Sequence, residues 1–154
     1  MSLYLQSDAA QPLSSAELAV LADQFSKERD AGHLATQTKF NYAWGLVKST
    51  ETTDVSRGVE LLGEIYRDEP QRRRECLFYL SVGHRKLGNY EHAKRFNDLL
   101  LAKEPGNMQA KSLATLIERD VQRDGYIGMA VGAGVAGLAL AVFVQGIRSF
   151  SNRR

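Results

Sequence analysis

The chain has one cysteine, Cys76, among its 154 residues. No intrachain disulfide can form, and a reducing compartment fits. Three histidines (His33, His84, His92) and one thiol do not compose a metal site. His84 and His92 stand eight apart with no acidic pair between them, which leaves acid–base catalysis without geometry. No cofactor motif survives inspection, and the chain reads as a binding protein with no enzymatic activity and no cofactor. An N-terminal signal is missing too: residues 1–11 hold Leu3, Tyr4 and Leu5 but no basic residue and no apolar run of signal length. Net charge is also scarce. Up to Asp124, 17 basic side chains meet 18 acidic ones, so no long-range field is available to attract nucleic acid.

The sharpest absence is local. No Asp, Glu, Lys or Arg occurs between Asp124 and Arg148, and the stretch YIGMAVGAGVAGLALAVFVQGI has Gln145 as its one strongly polar side chain. As a helix of 22 residues it would be roughly 33 Å long at about 1.5 Å per residue, against a hydrocarbon core of about 30 Å. A soluble helix of that length needs a polar face, and this segment has none. Residues 125–147 are therefore expected to be a single-pass transmembrane anchor, followed by a basic tail, 148–154, with Arg148, Arg153 and Arg154 as targeting residues. With so little chain after it, the anchor would insert after translation and leave the preceding domain in the cytosol. Charge bias does not select that topology, because the cytosolic flank (Arg119, Asp120, Arg123, Asp124) sums to zero. Gly128 and Gly132 form a GxxxG pair that can support self-association, although small residues also serve merely to lower hydrophobicity. The GxGxxG match at Gly132, Gly134 and Gly137 lacks the following acidic residue that a dinucleotide site requires.

Ahead of the anchor everything reads as helix. Residues 1–13 form an arm and 14–124 a cytosolic helical domain. Ser14 and Glu17 make a capping box for a first helix with an apolar stripe of Leu18, Leu21 and Phe25, closed by Gly32. A second helix is expected over about 33–48, with Trp44 in the core. A third runs over about 55–68, with Val59, Leu62, Ile65 and Tyr66 inward, and stops at Pro70. The fourth and fifth carry a tetratricopeptide signature: Leu80, the turn glycine Gly88, the aromatic Tyr90, the tight-packing Ala93 and the closing Pro105. Ser81 stands where the repeat has glycine, Leu77 where it has an aromatic, and Phe96 is one position early. A shift of 35 gives a degenerate first copy with Gly58 in the place of Ala93 and Pro70 in that of Pro105. Two repeats leave two open faces, so the first helix and a sixth, about 108–123 with Leu113, Leu116, Ile117 and Val121, are expected to cap them.

Two runs are more specific than any repeat pattern: FNYAWGLVKS from Phe40 to Ser49, and RRRECLFYL from Arg72 to Leu80, followed by KLGNY from Lys86 to Tyr90. By these the sequence resembles the mitochondrial fission 1 family, most of all its fungal members, from the first helix to the basic tail. The resemblance implies an all-α six-helix bundle with two tetratricopeptide-like helix pairs and capping helices, plus the C-terminal transmembrane helix. It further implies a cytosol-facing receptor in the mitochondrial outer membrane, and also in peroxisomes, that recruits a dynamin-related GTPase, in fungi through a WD-repeat adaptor.

A tetratricopeptide pair exposes a concave face lined by the first helix of each repeat. That register assigns Ala43, Val47, Glu75, Phe78, Val82 and Arg85 to a groove for an amphipathic partner helix. The alternative is that Phe78 and Val82 pack beneath the arm or the first helix. Leu3, Tyr4 and Leu5 could themselves occupy the groove. Arg72, Arg73 and Arg74 could read an acidic partner or lipid headgroups, but read more simply as a solvated helix start with one arginine paired to Glu75 or Asp68. Cys76 reads as a small buried apolar residue. A co-chaperone with a carboxylate clamp is the competing function. Such clamps use Lys and Asn at first-helix positions, where this chain has Glu75, Phe78 and Val82.

Overall fold

A computed structural model describes residues 11–125; the arm's Leu3, Tyr4 and Leu5, the span from Tyr126 to Ile147, and Arg148, Arg153 and Arg154 lie outside them. The described residues form six α-helices and no strand. They are α1 Ser15–Asp30, α2 Thr36–Lys48, α3 Thr52–Asp68, α4 Arg73–Lys86, α5 Tyr90–Lys103 and α6, residues 108–125. One turn of 3-10 helix, Pro70–Arg72, links α3 to α4. Among the described residues no helix is long and apolar enough to cross a membrane. The chain divides into two compact units, Met1–Ile117 and Glu118–Arg154. Of the second, the described part is the end of α6, where Asp120 and Arg123 pair at 3.6 Å and Val121 is exposed.

Local chemistry sets the boundaries. The expected capping box is present: Glu17 N–H donates to Ser14 Oγ at 3.2 Å, and the Glu17 carboxylate accepts from Ser14 N–H at 2.8 Å. That pair settles the orphan amides of the first turn. Gly32 (φ +78°) and Gly88 (φ +75°) end α1 and α4 in the left-handed conformation. At each, two successive amides turn back to the helix: Gly32 to Arg29 and His33 to Glu28, then Gly88 to Arg85 and Asn89 to His84. α2 begins three residues later than expected. Its first turn is held by Glu28 of α1, which accepts from Ala35 N–H at 3.0 Å and from Thr38 Oγ1 at 2.9 Å.

The first unit packs as successive helix neighbours around three buried apolar clusters. Phe25, Ala43, Leu46, Val47, Leu61, Leu62, Ile65, Cys76 and Leu80 are all buried and draw α1 to α4 together. Burying each large aliphatic side chain among them contributes about 1.5–3 kcal/mol of transfer free energy. Close crossings are made by small residues. At Gly58 an added Cβ would stand 2.8 Å from the Ala43 carbonyl oxygen and 2.9 Å from Val47 Cγ2. The corresponding Ala93 is fully buried, so the second crossing has room for one methyl and the first for none. Ser81, in the place of the repeat's glycine, is buried and donates to the Ala93 carbonyl at 2.7 Å, so the departure is satisfied rather than strained. The first helix caps as expected; of the four residues expected to face inward from the sixth, Leu113 and Ile117 are buried, Leu116 is half-buried and Val121 is exposed. On one side the Phe25 and Tyr42 rings meet at 4.8 Å, and Leu18 and Leu21 crowd Gly45. On the other, Leu113 and Ile117 close over Ala93.

Candidate functional site: a cleft between first helices

A cleft of about 380 Å³ opens between the N-terminal ends of α2, α4 and α6. Its aromatic lining is Phe40, Phe78 and Tyr79, which meet edge to face: Phe40 and Tyr79 at 5.9 Å, Phe78 and Tyr79 at 5.3 Å. Such pairs fix one another's ring orientation. Around them stand Gln37 from α2, Arg72, Arg74 and Glu75 from the start of α4, and Asn107 and Gln109 from the start of α6. The lining offers apolar area together with both signs of charge and amide groups, and an amphipathic helix presents the complementary set.

Of the six residues that the register assigns to this face, two line the cleft. Glu75 and Phe78 line the cleft. Ala43 and Val47 do not: they are 0% and 1% exposed. Their helix face meets α3 and α4, with Ala43 and Val47 against Gly58, and Val47 facing Gly83. The positions that the repeat pattern equates with Phe78 and Val82 point at the next repeat's first helix. In the first repeat α4 approaches closely enough, through Gly83, to seal them. The open stripe on α2 is Gln37 and Phe40 instead. Phe78 and Val82 are half-buried against Ala93, Leu113 and Ile117, and Val82 also packs on the core shared by α1 to α4; the apolar residues of the arm lie outside the described residues. Arg85 is half-buried and, like Val82, does not line the cleft. Trp44 is half-buried rather than core, with the Lys48 ammonium 4.6 Å above its ring. Tyr90 and Pro105 serve the repeat's packing and turn, as Leu80, Gly88 and Ala93 do.

The three consecutive arginines have three separate tasks, of which sequence reasoning found one. Arg72 pairs with Glu75 at 3.0 Å, donates to Gln37 Oε1 at 2.6 Å and lies over the Phe40 ring. Arg73 turns away from the cleft. Its Nε donates to the Tyr66 carbonyl at 2.8 Å, satisfying an orphan acceptor at the end of α3. Arg74 forms a fork with Glu104, whose second carboxylate oxygen is 2.9 Å from Nη2. That partner and the Asn107 amide hold the Glu104 carboxyl below its ordinary pKa. At the far end of α4, Lys86 donates to the carbonyls of Val47 at 2.6 Å and Ser49 at 2.5 Å.

No group of three or more His, Cys, Asp or Glu among the described residues could hold a metal ion. His84 and His92 stack at 5.1 Å, and His84 also stacks on Phe96 at 5.5 Å. Burial, then the neighbouring His92, lowers the His84 pKa, so His84 resists protonation. Burial, reinforced by Glu75, pushes the Cys76 thiol up to about 11. Neither environment makes a nucleophile or a general base.

Comparison with known proteins agrees with this architecture. Residues 37–69 match the Fis1 N-terminal tetratricopeptide repeat and residues 74–126 the Fis1 C-terminal tetratricopeptide repeat. The chain is 58% identical over 139 residues to the Mitochondrial fission 1 protein of Mycosarcoma maydis, covering 90% of this chain and 91% of that one. Among solved structures it is similar to yeast Fis1 in complex with an Mdv1 fragment containing N-terminal extension and coiled coil domains. There the TM-score is 0.72 and the identity 41%, over 77% of this chain and 93% of that one. It is also similar to yeast Fis1 complexed with a fragment of yeast Caf4, with TM-score 0.55 and 46% identity over 60% and 93% of the two chains. The two repeat matches and the near full-length identity agree with the helix order, and the chain belongs to the mitochondrial fission 1 protein family.

Proposed function

We propose that this protein is a non-enzymatic receptor of the mitochondrial outer membrane, held by residues 125–147 with its helical domain in the cytosol. It recruits a dynamin-related GTPase, directly or through a WD-repeat adaptor, and so promotes fission of mitochondria and of peroxisomes. The cleft carries this reading: an aromatic floor of Phe40, Phe78 and Tyr79 with Arg72, Arg74 and Glu75 at its rim suits a helical segment of a partner. The similarity to yeast Fis1 bound to an Mdv1 fragment supports it. A carboxylate clamp would need unpaired cations converging on one point. Here Arg72 and Arg74 are each engaged by a glutamate, which disfavours capture of an acidic chaperone tail.

The test has two arms. The full-length chain should retain an adaptor fragment holding an N-terminal extension and a coiled coil, and should not retain an acidic chaperone C-terminal peptide. Cells lacking the chain should carry long, connected mitochondria, restored by the full chain and not by residues 1–124 alone. Retention of the chaperone peptide in place of the adaptor, or normal organelle shape after deletion, would overturn the assignment.

A further inference from the structure

The cleft's two main walls, α2 and α4, are not sequence neighbours, since α3 stands between them in the chain. Beyond the shared core and the Phe40–Tyr79 ring contact, a few further contacts bear on their mutual placement. Toward the C-terminal end, α4 lies close to α2 at Gly83, where an added Cβ would lie 3.5 Å from Val47 Cγ2 and 2.4 Å from Val59 Cγ2 of α3. At the N-terminal ends, Arg72 donates to Gln37 Oε1 at 2.6 Å. At the C-terminal ends, the Lys86 ammonium holds the carbonyls of Val47 and Ser49. The N-terminal ends are therefore held by one tie, and the C-terminal ends by the Gly83 contact and the Lys86 tie side by side at Val47. The apolar contact at Val47 sets a distance, whereas the two Lys86 hydrogen bonds set a direction, so their release lets the end of α2 reorient against α4.

The two ties differ in kind. Arg72 and Gln37 line the cleft, so an occupant meets them directly. Lys86 does not line it and lies one helix length away, about 20 Å along α4. The carbonyls it reaches belong to the last turn of α2 (Val47) and its C-cap (Ser49), where acceptors have no partner within the helix. A cation at that end also suits the helix dipole.

From this arrangement we infer that Lys86 is a positioning residue for the docking cleft, fixing the angle between its walls without touching the occupant. The inference rests on the receptor reading above. Lys86→Met keeps the aliphatic stem and removes the donors, whereas Lys86→Arg keeps a cation able to serve two carbonyls. Ile65→Val loosens the buried core away from both ties and controls for lost stability. In the full-length chain, Lys86→Met should weaken binding of the coiled-coil adaptor fragment about fivefold to tenfold and speed amide exchange at residues 46–50. Lys86→Arg should bind within about twofold of the parent, and Ile65→Val should bind like the parent. Parental binding by Lys86→Met, or an equal loss in Ile65→Val, would overturn the positioning role. Unchanged exchange at residues 46–50 would overturn the tie itself. Failure of the parent chain to bind the fragment would instead overturn the receptor reading and the positioning role with it.

Discussion

Replacing Gly58 with alanine adds one methyl group where α3 crosses α2. The new Cβ would stand 2.8 Å from the Ala43 carbonyl oxygen, 2.9 Å from Val47 Cγ2 and 3.0 Å from Leu46 Cβ. Two opposing effects decide the outcome. Alanine is the better helix former by about 1 kcal/mol, and overpacking a tight core costs about 1–3 kcal/mol. Here the cost falls toward the upper end. A main-chain oxygen and a Cβ cannot swing aside as a side-chain tip can, and Ala43, Leu46 and Val47 are each at most 3% exposed, so α2 must move as a body. The expected net loss is about 1–2 kcal/mol, a fall in Tm on the order of 5–10 °C. Gly63 lies five residues on in the same helix and supplies the control, because nothing stands within 4 Å of its would-be Cβ. Gly63→Ala should gain about 0.5–1 kcal/mol from propensity alone. Thermal and urea unfolding followed by circular dichroism measure both. If Gly58→Ala matched or exceeded the parent in stability, the close-crossing account of the first repeat would be wrong.

Two further outcomes follow from buried titratable groups. The His84 pKa is lowered from its ordinary value near 6.5, so the unfolded chain binds the proton more readily than the folded one. Stability should therefore fall as pH drops below about 6.5. His84→Phe, which keeps an aromatic ring beside Phe96, should flatten that limb of a Tm-against-pH curve; an unchanged slope would refute the assignment. The lowered carboxyls of Glu28 and Glu104 act in a separate window, below the ordinary value of 4.5. Cys76, fully buried and raised to about 11, should resist a disulfide reagent at pH 8 until denaturant is added. Labelling of the native protein at the rate of free cysteine would contradict its burial.

Much of the scaffold was legible because the signals that place helices are local. The capping box at Ser14 needs only four residues, and Gly32 and Gly88 take the positive φ that ends a helix. The apolar stripe of α3 repeats at three and four, so Leu62 and Ile65 come out buried. The start of α2 was not local. It is held by Glu28 of the preceding helix, ten positions before Thr38, so the capping pattern could not be seen near Thr36. The cleft failed on α2 for a related reason. A shift of 35 carries positions from one repeat to the other but not their neighbours. Val47 is sealed by the close approach of α4 at Gly83, while Phe78 keeps part of its surface in the cleft.

The charged residues carry the same lesson into function. Lys86 reaches 39 residues back to Val47, Arg72 reaches 35 back to Gln37, and Arg74 reaches 30 forward to Glu104. Hydrophobic periodicity records which face of a helix is inside and says nothing about such spans. Isolated exposed ion pairs are worth little, about 0–1 kcal/mol, so these ties are not what makes the chain fold. Two of them end on backbone or amide acceptors at the ends of α2, where a hydrogen bond fixes direction as well as distance. The buried apolar residues bring α2 and α4 together, and the long cations at either end set the angle at which the cleft stands open.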